Sequence, residues 1–242
     1  MSNLVIEIGN TALKAAWTEG TTLGKTFRYQ GEKFMDFILN VTSKQRPEIM
    51  TVASARQISE KEKEILEGEC RHLLMMDKES KDLILSYGLP EYLSCDRAAS
   101  LIAIRYMFSG KPCSIFDFGT TLTIDFVSSE GKYEGGSISP GFLTRFKALN
   151  RYSRSLPLLN IPERIEEPGT SIAASIEDGV VLGIKFEIEG YMRTRQDNIN
   201  VFTGGDAAYF AGLIKQPIFI VNNLVLKGLA LITDEYEKAD SH

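Results

Sequence analysis

Residues 7–14 read E-I-G-N-T-A-L-K, and residues 117–125 read D-F-G-T-T-L-T-I-D. In each, an acid stands two residues before a glycine and a threonine two residues after it: Glu7, Gly9 and Thr11, then Asp117, Gly119 and Thr121. Leu4–Ile8 reads as a buried strand with Leu13–Thr18 as its hairpin partner, and Ser114–Phe118 with Leu122–Val127 repeats the arrangement. A glycine-centred turn between two strands presents several backbone N–H groups in one direction, and a residue without Cβ lets a polyphosphate approach them. The threonine hydroxyl adds a donor, and Lys14 adds a point charge. A carboxylate at the same turn repels phosphate but can hold Mg²⁺ through waters, and the metal bridges to the phosphates. One such turn is an ordinary hairpin feature. Two copies with one spacing point to a magnesium nucleotide held between two similar halves.

The rest of the chain is consistent with an ordinary soluble globule. It has 242 residues, 43% hydrophobic and 24% charged, with a formal charge of −5. A chain this long buries roughly 70% of its unfolded surface, so its core needs no disulfide staples. A mildly acidic chain attracts no polyanion through its overall field, so no nucleic-acid partner is expected. No apolar run approaches the roughly 20 residues of a membrane helix. Cys70, Cys95 and Cys113 match no metal or redox spacing, and an odd count fits reduced thiols in a cytoplasmic protein. The two histidines, His72 and His242, do not suit a histidine dyad or a zinc site.

Helical spacing of Phe34, Phe37, Ile38 and Val41 predicts a helix over Glu32–Thr42. Ser59 is placed to cap a charged helix that stops at Gly68. Ile49–Ala53, His72–Met76 and Leu83–Ser86 read as short strands, and Asp96 reads as the cap of a helix over Arg97–Met107. After the second hairpin come a helix through Phe146 and Leu149, then a long helix over Ser171–Arg195. Next are a strand over Ile199–Phe202 leading into Thr203-Gly204-Gly205-Asp206, a strand over Pro217–Val221 and a last helix over Leu224–Tyr236. Interleaved strands and helices make an α/β protein. The repeated hairpin divides it into residues 1–112 and 113–242, with the boundary near Gly110–Pro112.

The ordered motifs resemble those of the type III pantothenate kinases. Glu7–Lys14 is similar to that family's D-x-G-N-T-x-x-K, and Asp117–Asp125 to its D-x-G-T-[AT]-x-T-x-D. Tyr87-Gly88-x-Pro90 followed by Ser94-Cys95-Asp96-Arg97 resembles the pantothenate segment with its G-x-D-R core. Gly135–Gly141 resembles G-G-x-I-x-P-G, Ala148-Leu149 and Leu156-Pro157 follow in order, Thr203-Gly204-Gly205 resembles T-G-G, and Leu224–Leu229 resembles L-x-L-x-G-L. The resemblance covers nearly the whole chain.

What it implies is concrete. The fold would be two ribonuclease-H-like domains of the actin-like ATPase superfamily, with the nucleotide cleft between them. The activity would be ATP-dependent phosphorylation of pantothenate to 4'-phosphopantothenate, the first step of coenzyme A synthesis. Mg²⁺, a monovalent cation (K⁺ or NH₄⁺) and a homodimer would be required. Asp96 would accept the pantothenate hydroxyl proton; Tyr87, Ser94, Cys95 and Arg97 would line the substrate site. Glu7, Ile8, Gly9, Asn10, Thr11, Ala12, Leu13 and Lys14, with Thr120, Gly204 and Gly205, would hold ATP. Asp117 would ligate the monovalent cation, and Glu7 the Mg²⁺ through water.

Three positions depart from the family pattern. Glu7 stands where Asp is usual, moving the carboxylate by about 1.5 Å. Ser94 replaces the first glycine of G-x-D-R, and Ile172 stands where a pocket threonine is usual. They leave open a non-catalytic, nucleotide-binding relative acting as a regulator, or a related small-molecule kinase with another acceptor. Lys14, Asp96, Arg97 and Asp117 together favour the active kinase.

Overall fold

Leu4, Ile6 and Ile8 join the core on one side of the opening strand, while Val5, on the other side, is equally buried. A strand apolar on both faces needs cover on both. The computed structural model describes residues 2–79 and 81–240, so His242 lies outside the described residues. By packing, the chain divides into two units, Met1–Met107 with Asn223–His242, and Phe108–Asn222.

The first unit runs β1 (Asn3–Ile8), β2 (Leu13–Glu19), β3 (Thr22–Tyr29), α1 (Phe34–Thr42), β4 (Ile49–Ser54), α2 (Glu60–Gly68), β5 (His72–Met76), α3 (Asp82–Ser86) and α4 (Cys95–Met107). The second runs β6 (Cys113–Phe118), β7 (Thr121–Val127), β8 (Tyr133–Pro140), α5 (Phe142–Tyr152), α6 (Ile172–Thr194), β9 (Ile199–Gly204), α7 (Ala207–Ala211) and β10 (Phe219–Ile220). The chain then returns to the first unit through α8 (Leu224–Asp240). Each sheet has five strands, ordered β3-β2-β1-β4-β5 and β8-β7-β6-β9-β10. In both, three antiparallel strands are followed by two parallel ones. The repeat in the sequence is therefore a repeat of topology.

In the first unit Leu4, Ile6, Ile8, Met50 and Val52 pack against Ile38 and Val41 of α1 and Leu66 of α2. The opposite face meets α8, where Thr51 and Thr233 share a buried hydrogen bond at 2.7 Å. Asn3 ties the same layers: its side-chain amide donates to Glu237 at 2.9 Å and its Oδ1 accepts from the Ile49 N–H at 3.1 Å. Helix α4 lies against α8 at backbone contact, because a Cβ on Gly228 would come within 1.9 Å of the Ala99 carbonyl oxygen. In the second unit Phe116, Phe118, Phe202 and Phe210 form an aromatic centre under α5 and α6.

Several sequence expectations are met residue by residue. Ser59 and Glu62 form a reciprocal capping box on α2, and Ser171 caps α6 by accepting from the Ala174 N–H at 3.1 Å. Others are corrected. Residues 83–86 are helical within α3 and not a strand: Ile84 is buried but Leu85 is 50% exposed, and a three-residue apolar run carries no decisive period. Asp96 does not cap α4, which already begins at Cys95; it sits in the first turn with its Oδ1 accepting from the Arg97 N–H at 2.9 Å. The strand expected over Pro217–Val221 shrinks to Phe219–Ile220. Strands β3 and β8 and helix α7 had no counterpart in the reading of the sequence. Helix α8 packs with the first unit, where a division at residue 112 assigns it to the second.

Gly228→Ala should force α4 and α8 apart and cost on the order of 2 kcal/mol of stability. Thermal or denaturant unfolding checks it. An unfolding midpoint equal to that of the unsubstituted protein would show that the close approach is not a constraint.

Candidate active site

At the end of β1 the chain must turn back, and the register pairs Glu7 with Lys14 and Ile8 with Leu13. Four residues, Gly9 to Ala12, form the turn, closed by the Gly9 N–H donating to the Ala12 carbonyl at 3.0 Å. Ile8 and Leu13 anchor it in the core, while Asn10 and Thr11 are exposed. Glu7 and Lys14 share the sheet face opposite the α1/α2 core, and the Lys14 ammonium donates to Glu7 Oε2 at 3.2 Å. Burial raises the Glu7 pKa above the ordinary carboxylate value; Lys14 pulls it down less than burial pushes it up, and the Asp96 charge adds a further upward push. Asp96, in the first turn of α4, thus acts electrostatically on the carboxylate beside the turn.

The segment leading to Asp96 is held by side chains of the same unit. The Tyr87 hydroxyl donates to Glu235 of α8, and burial with that acid pushes the phenol pKa up. The Tyr87 carbonyl accepts from Arg105 at 2.7 Å, and the Leu93 carbonyl accepts from Lys81 at 3.0 Å. Ser94 is exposed and its carbonyl accepts the first helical bond, from the Ala98 N–H at 2.9 Å. Cys95 points into the core, and burial pushes its thiol up to about 11. Arg97 is half-buried beside Asp96.

In the second unit the register pairs Asp117 with Thr123 and Phe118 with Leu122, so this turn, Gly119 to Thr121, is one residue shorter than the first. Gly119 and Thr120 are exposed. The Thr120 carbonyl accepts from the Gly141 N–H at 3.0 Å and from the Thr144 hydroxyl at 2.6 Å. A Cβ on Gly141 would meet the Gly119 carbonyl at 2.1 Å, which fixes glycine where α5 begins. Gly204 has φ +92°, and a Cβ there would lie 2.6 Å from Asp117 Oδ1 and 2.5 Å from the Phe118 carbonyl oxygen. Gly205 is exposed, and the Asp206 N–H reaches the Phe118 carbonyl at 3.4 Å. Asp125 is buried and accepts from the Tyr133 hydroxyl at 3.0 Å. Ile172 opens α6 and is 63% exposed.

Residues expected from the sequence therefore gather in two places. Glu7 to Lys14 and Asp96 meet in the first unit; Asp117, Thr120 and Gly204 meet in the second. The reading of the sequence gave no site role to Gly141 or Thr144, nor to Arg56, whose guanidinium donates to the Gly9 and Asn10 carbonyls. Gly141 and Thr144 had a signal, a Pro-Gly step into a helix; Arg56 had none. Among the described residues, no group of three or more His, Cys, Asp or Glu could hold a metal ion, and no helix is long and apolar enough to cross a membrane.

The chain matches the family model for type III pantothenate kinase over residues 3–194. A type III pantothenate kinase of Bacteroides fragilis (strain YCH46) is 36% identical over 232 residues, covering 94% of this chain and 95% of that protein. Among solved structures, a conserved putative Baf family transcriptional activator from Campylobacter jejuni aligns with a TM-score of 0.60 at 20% identity, over 98% of this chain and 99% of that one. The activator of the 2-hydroxyisocaproyl-CoA dehydratase from Clostridium difficile with bound ADPNP aligns with a TM-score of 0.59 at 11% identity, over 100% and 97%. At these identities the solved structures show the fold alone: two α/β units, each built on a five-stranded mixed sheet.

Because folding raises the Glu7 pKa, its contribution to stability is fully present below the unfolded-state pKa and is lost as pH rises through the folded one. Glu7→Gln removes that loss. The midpoint of the variant relative to the parent should therefore become more favourable from pH 4 to pH 8, followed by thermal unfolding. The opposite slope would mean that Lys14 outweighs burial.

Proposed function

The chain belongs to the type III pantothenate kinase family, and we propose that it transfers the γ-phosphate of ATP to pantothenate with Asp96 as the proton acceptor. The product is 4'-phosphopantothenate, which begins coenzyme A synthesis. One observation carries the assignment of roles: Glu7 and Lys14 are paired across the hairpin at 3.2 Å beside the phosphate turn, and the charge of Asp96 on α4 pushes the Glu7 pKa up.

The first turn offers backbone amides and a threonine hydroxyl to phosphate oxygens, and Lys14 supplies positive charge beside them. Phosphoryl transfer needs positioning and charge neutralisation more than covalent help. The pantothenate hydroxyl oxygen attacks the γ-phosphorus, the bond to the bridging oxygen breaks, ADP leaves, and the hydroxyl proton passes to the Asp96 carboxylate. Arg97 and Tyr87, on the same segment, line the site for the pantothenate carboxylate; Ser94 and Cys95 contribute through the backbone at the start of α4. Thr120, Gly204 and Gly205 serve the nucleotide from the second unit.

Mg²⁺ fits the donor set. It is bound by one or two carboxylates together with substrate phosphates and waters, and Glu7 beside the turn supplies a carboxylate of that kind. The metal would neutralise phosphate charge. Asp117 Oδ1 and the Phe118 carbonyl oxygen, both close to Gly204, are the oxygen donors a K⁺ or NH₄⁺ ion takes. The homodimer is part of the same reading: Tyr92, Tyr106 and Met107 are 71%, 65% and 41% exposed in the first unit, apolar surface of the kind a second copy covers.

A coupled ADP-release assay with pantothenate, Mg-ATP and either K⁺ or Na⁺ tests the reaction; turnover should need pantothenate and K⁺ together. Asp96→Asn should lower kcat by at least about 10²-fold with an unchanged melting midpoint. Near-parental turnover would remove Asp96 from the base role. Lys14→Ala should raise the KM for ATP more than that for pantothenate, and the reverse order would refute its placement at the phosphates.

A further inference from the structure

Arg56 follows β4, which runs parallel to β1 with Ser54 opposite Ile8. The ladder continues one step further, the Ala55 N–H donating to the Ile8 carbonyl at 2.9 Å. Ser54 fixes the next residue from its own side chain: its hydroxyl accepts from the Arg56 N–H at 3.1 Å and donates to the Arg56 carbonyl at 2.8 Å. The Arg56 side chain lies over the Phe34 ring, 5.9 Å from its centroid. From there Nε donates to the Gly9 carbonyl at 3.1 Å and Nη2 to the Asn10 carbonyl at 3.0 Å.

Those two carbonyls are consecutive, and that fact has a geometric consequence. In a trans peptide the C=O of one residue and the N–H of the next lie in one plane and point in opposite directions. A guanidinium that draws the Gly9 and Asn10 carbonyls to one side therefore turns the Asn10 and Thr11 amides to the other. Two successive amides aimed together form an anion-binding concavity. A planar guanidinium fork suits a paired contact of this kind, and an ammonium group can meet one carbonyl at a time.

We propose that Arg56 is a positioning residue for the nucleotide phosphates: it holds the first turn in its phosphate-binding orientation through two backbone carbonyls. The proposal rests on the reading of that turn as the ATP phosphate loop. It concerns the ATP side of the reaction, since the Arg56 side chain reaches the Gly9 and Asn10 carbonyls and the Phe34 ring.

The test uses the full chain with Arg56→Met and Arg56→Lys, and measures KM for ATP, KM for pantothenate, ATP binding without pantothenate, and the melting midpoint. Arg56→Met should raise KM for ATP and weaken ATP binding about tenfold, the loss of charge-assisted hydrogen bonds. KM for pantothenate should stay within about twofold and the melting midpoint within about 2 °C, because the contacts lie at an exposed turn. Arg56→Lys should fall between parent and Met variant. ATP binding unchanged in Arg56→Met would overturn the proposal, as would equal losses for both substrates accompanied by a lowered midpoint. If the unsubstituted protein turns over no pantothenate, the functional reading falls, and the comparison of ATP binding between parent and variant still decides the role of Arg56.

Discussion

The first unit depends on one steric constraint: two helices meet at backbone distance. Residue 228 must lack a side chain because the Ala99 carbonyl occupies the space a Cβ would take. Helix α8 is itself fixed to the sheet through Thr51 and Thr233 and through Asn3 and Glu237. Helix α4 packs against both α8 and β4, and its first turn holds Asp96, whose charge acts on Glu7. The glycine of the closing L-x-L-x-G-L run sets how closely α4 and α8 approach.

The two similar loops are supported differently. In the first, the acid faces a lysine across the hairpin, and burial outweighs the attraction of that lysine. In the second, the acid faces Thr123, and support comes from close-packed glycines, Gly141 against Gly119 and Gly204 against Asp117. Glu7 in place of the usual Asp fits this contrast. A longer side chain spans the register pair to reach Lys14 at 3.2 Å, whereas the shorter Asp117 sits against the backbone of Gly204.

Local features were legible in the sequence. The paired hairpins, the Ser59 and Ser171 caps and the glycine-rich loop after β9 all follow from neighbours within a few residues. What escaped has physical reasons. Strands β3 and β8 are edge strands of their sheets; β3 exposes Thr22, Gly24, Lys25, Thr26 and Arg28, and β8 exposes Glu134, Gly136, Ile138 and Pro140, so neither shows a clean apolar-in, polar-out alternation. Helix α3 is one turn long, too short for a period. Asp96 looked like a cap because an acid before an apolar run is the usual sign, yet a first-turn acid also meets the positive end of a helix. Arg56 acts on a carbonyl 47 residues away in the chain. Only the parallel pairing of β1 and β4 brings them together, and nothing local signals it.

The return of α8 to the first unit carries a consequence for biogenesis. Phe108–Asn222 is one uninterrupted run and can close its core as soon as it leaves the ribosome. The opening sheet precedes it, whereas α8, which packs on β1 and β4 and bonds Thr51 through Thr233, follows it, so the α8 share of that sheet's cover is added only after the intervening unit. The unit that is translated first is thus finished last, and damage near the C-terminal end falls on the N-terminal sheet.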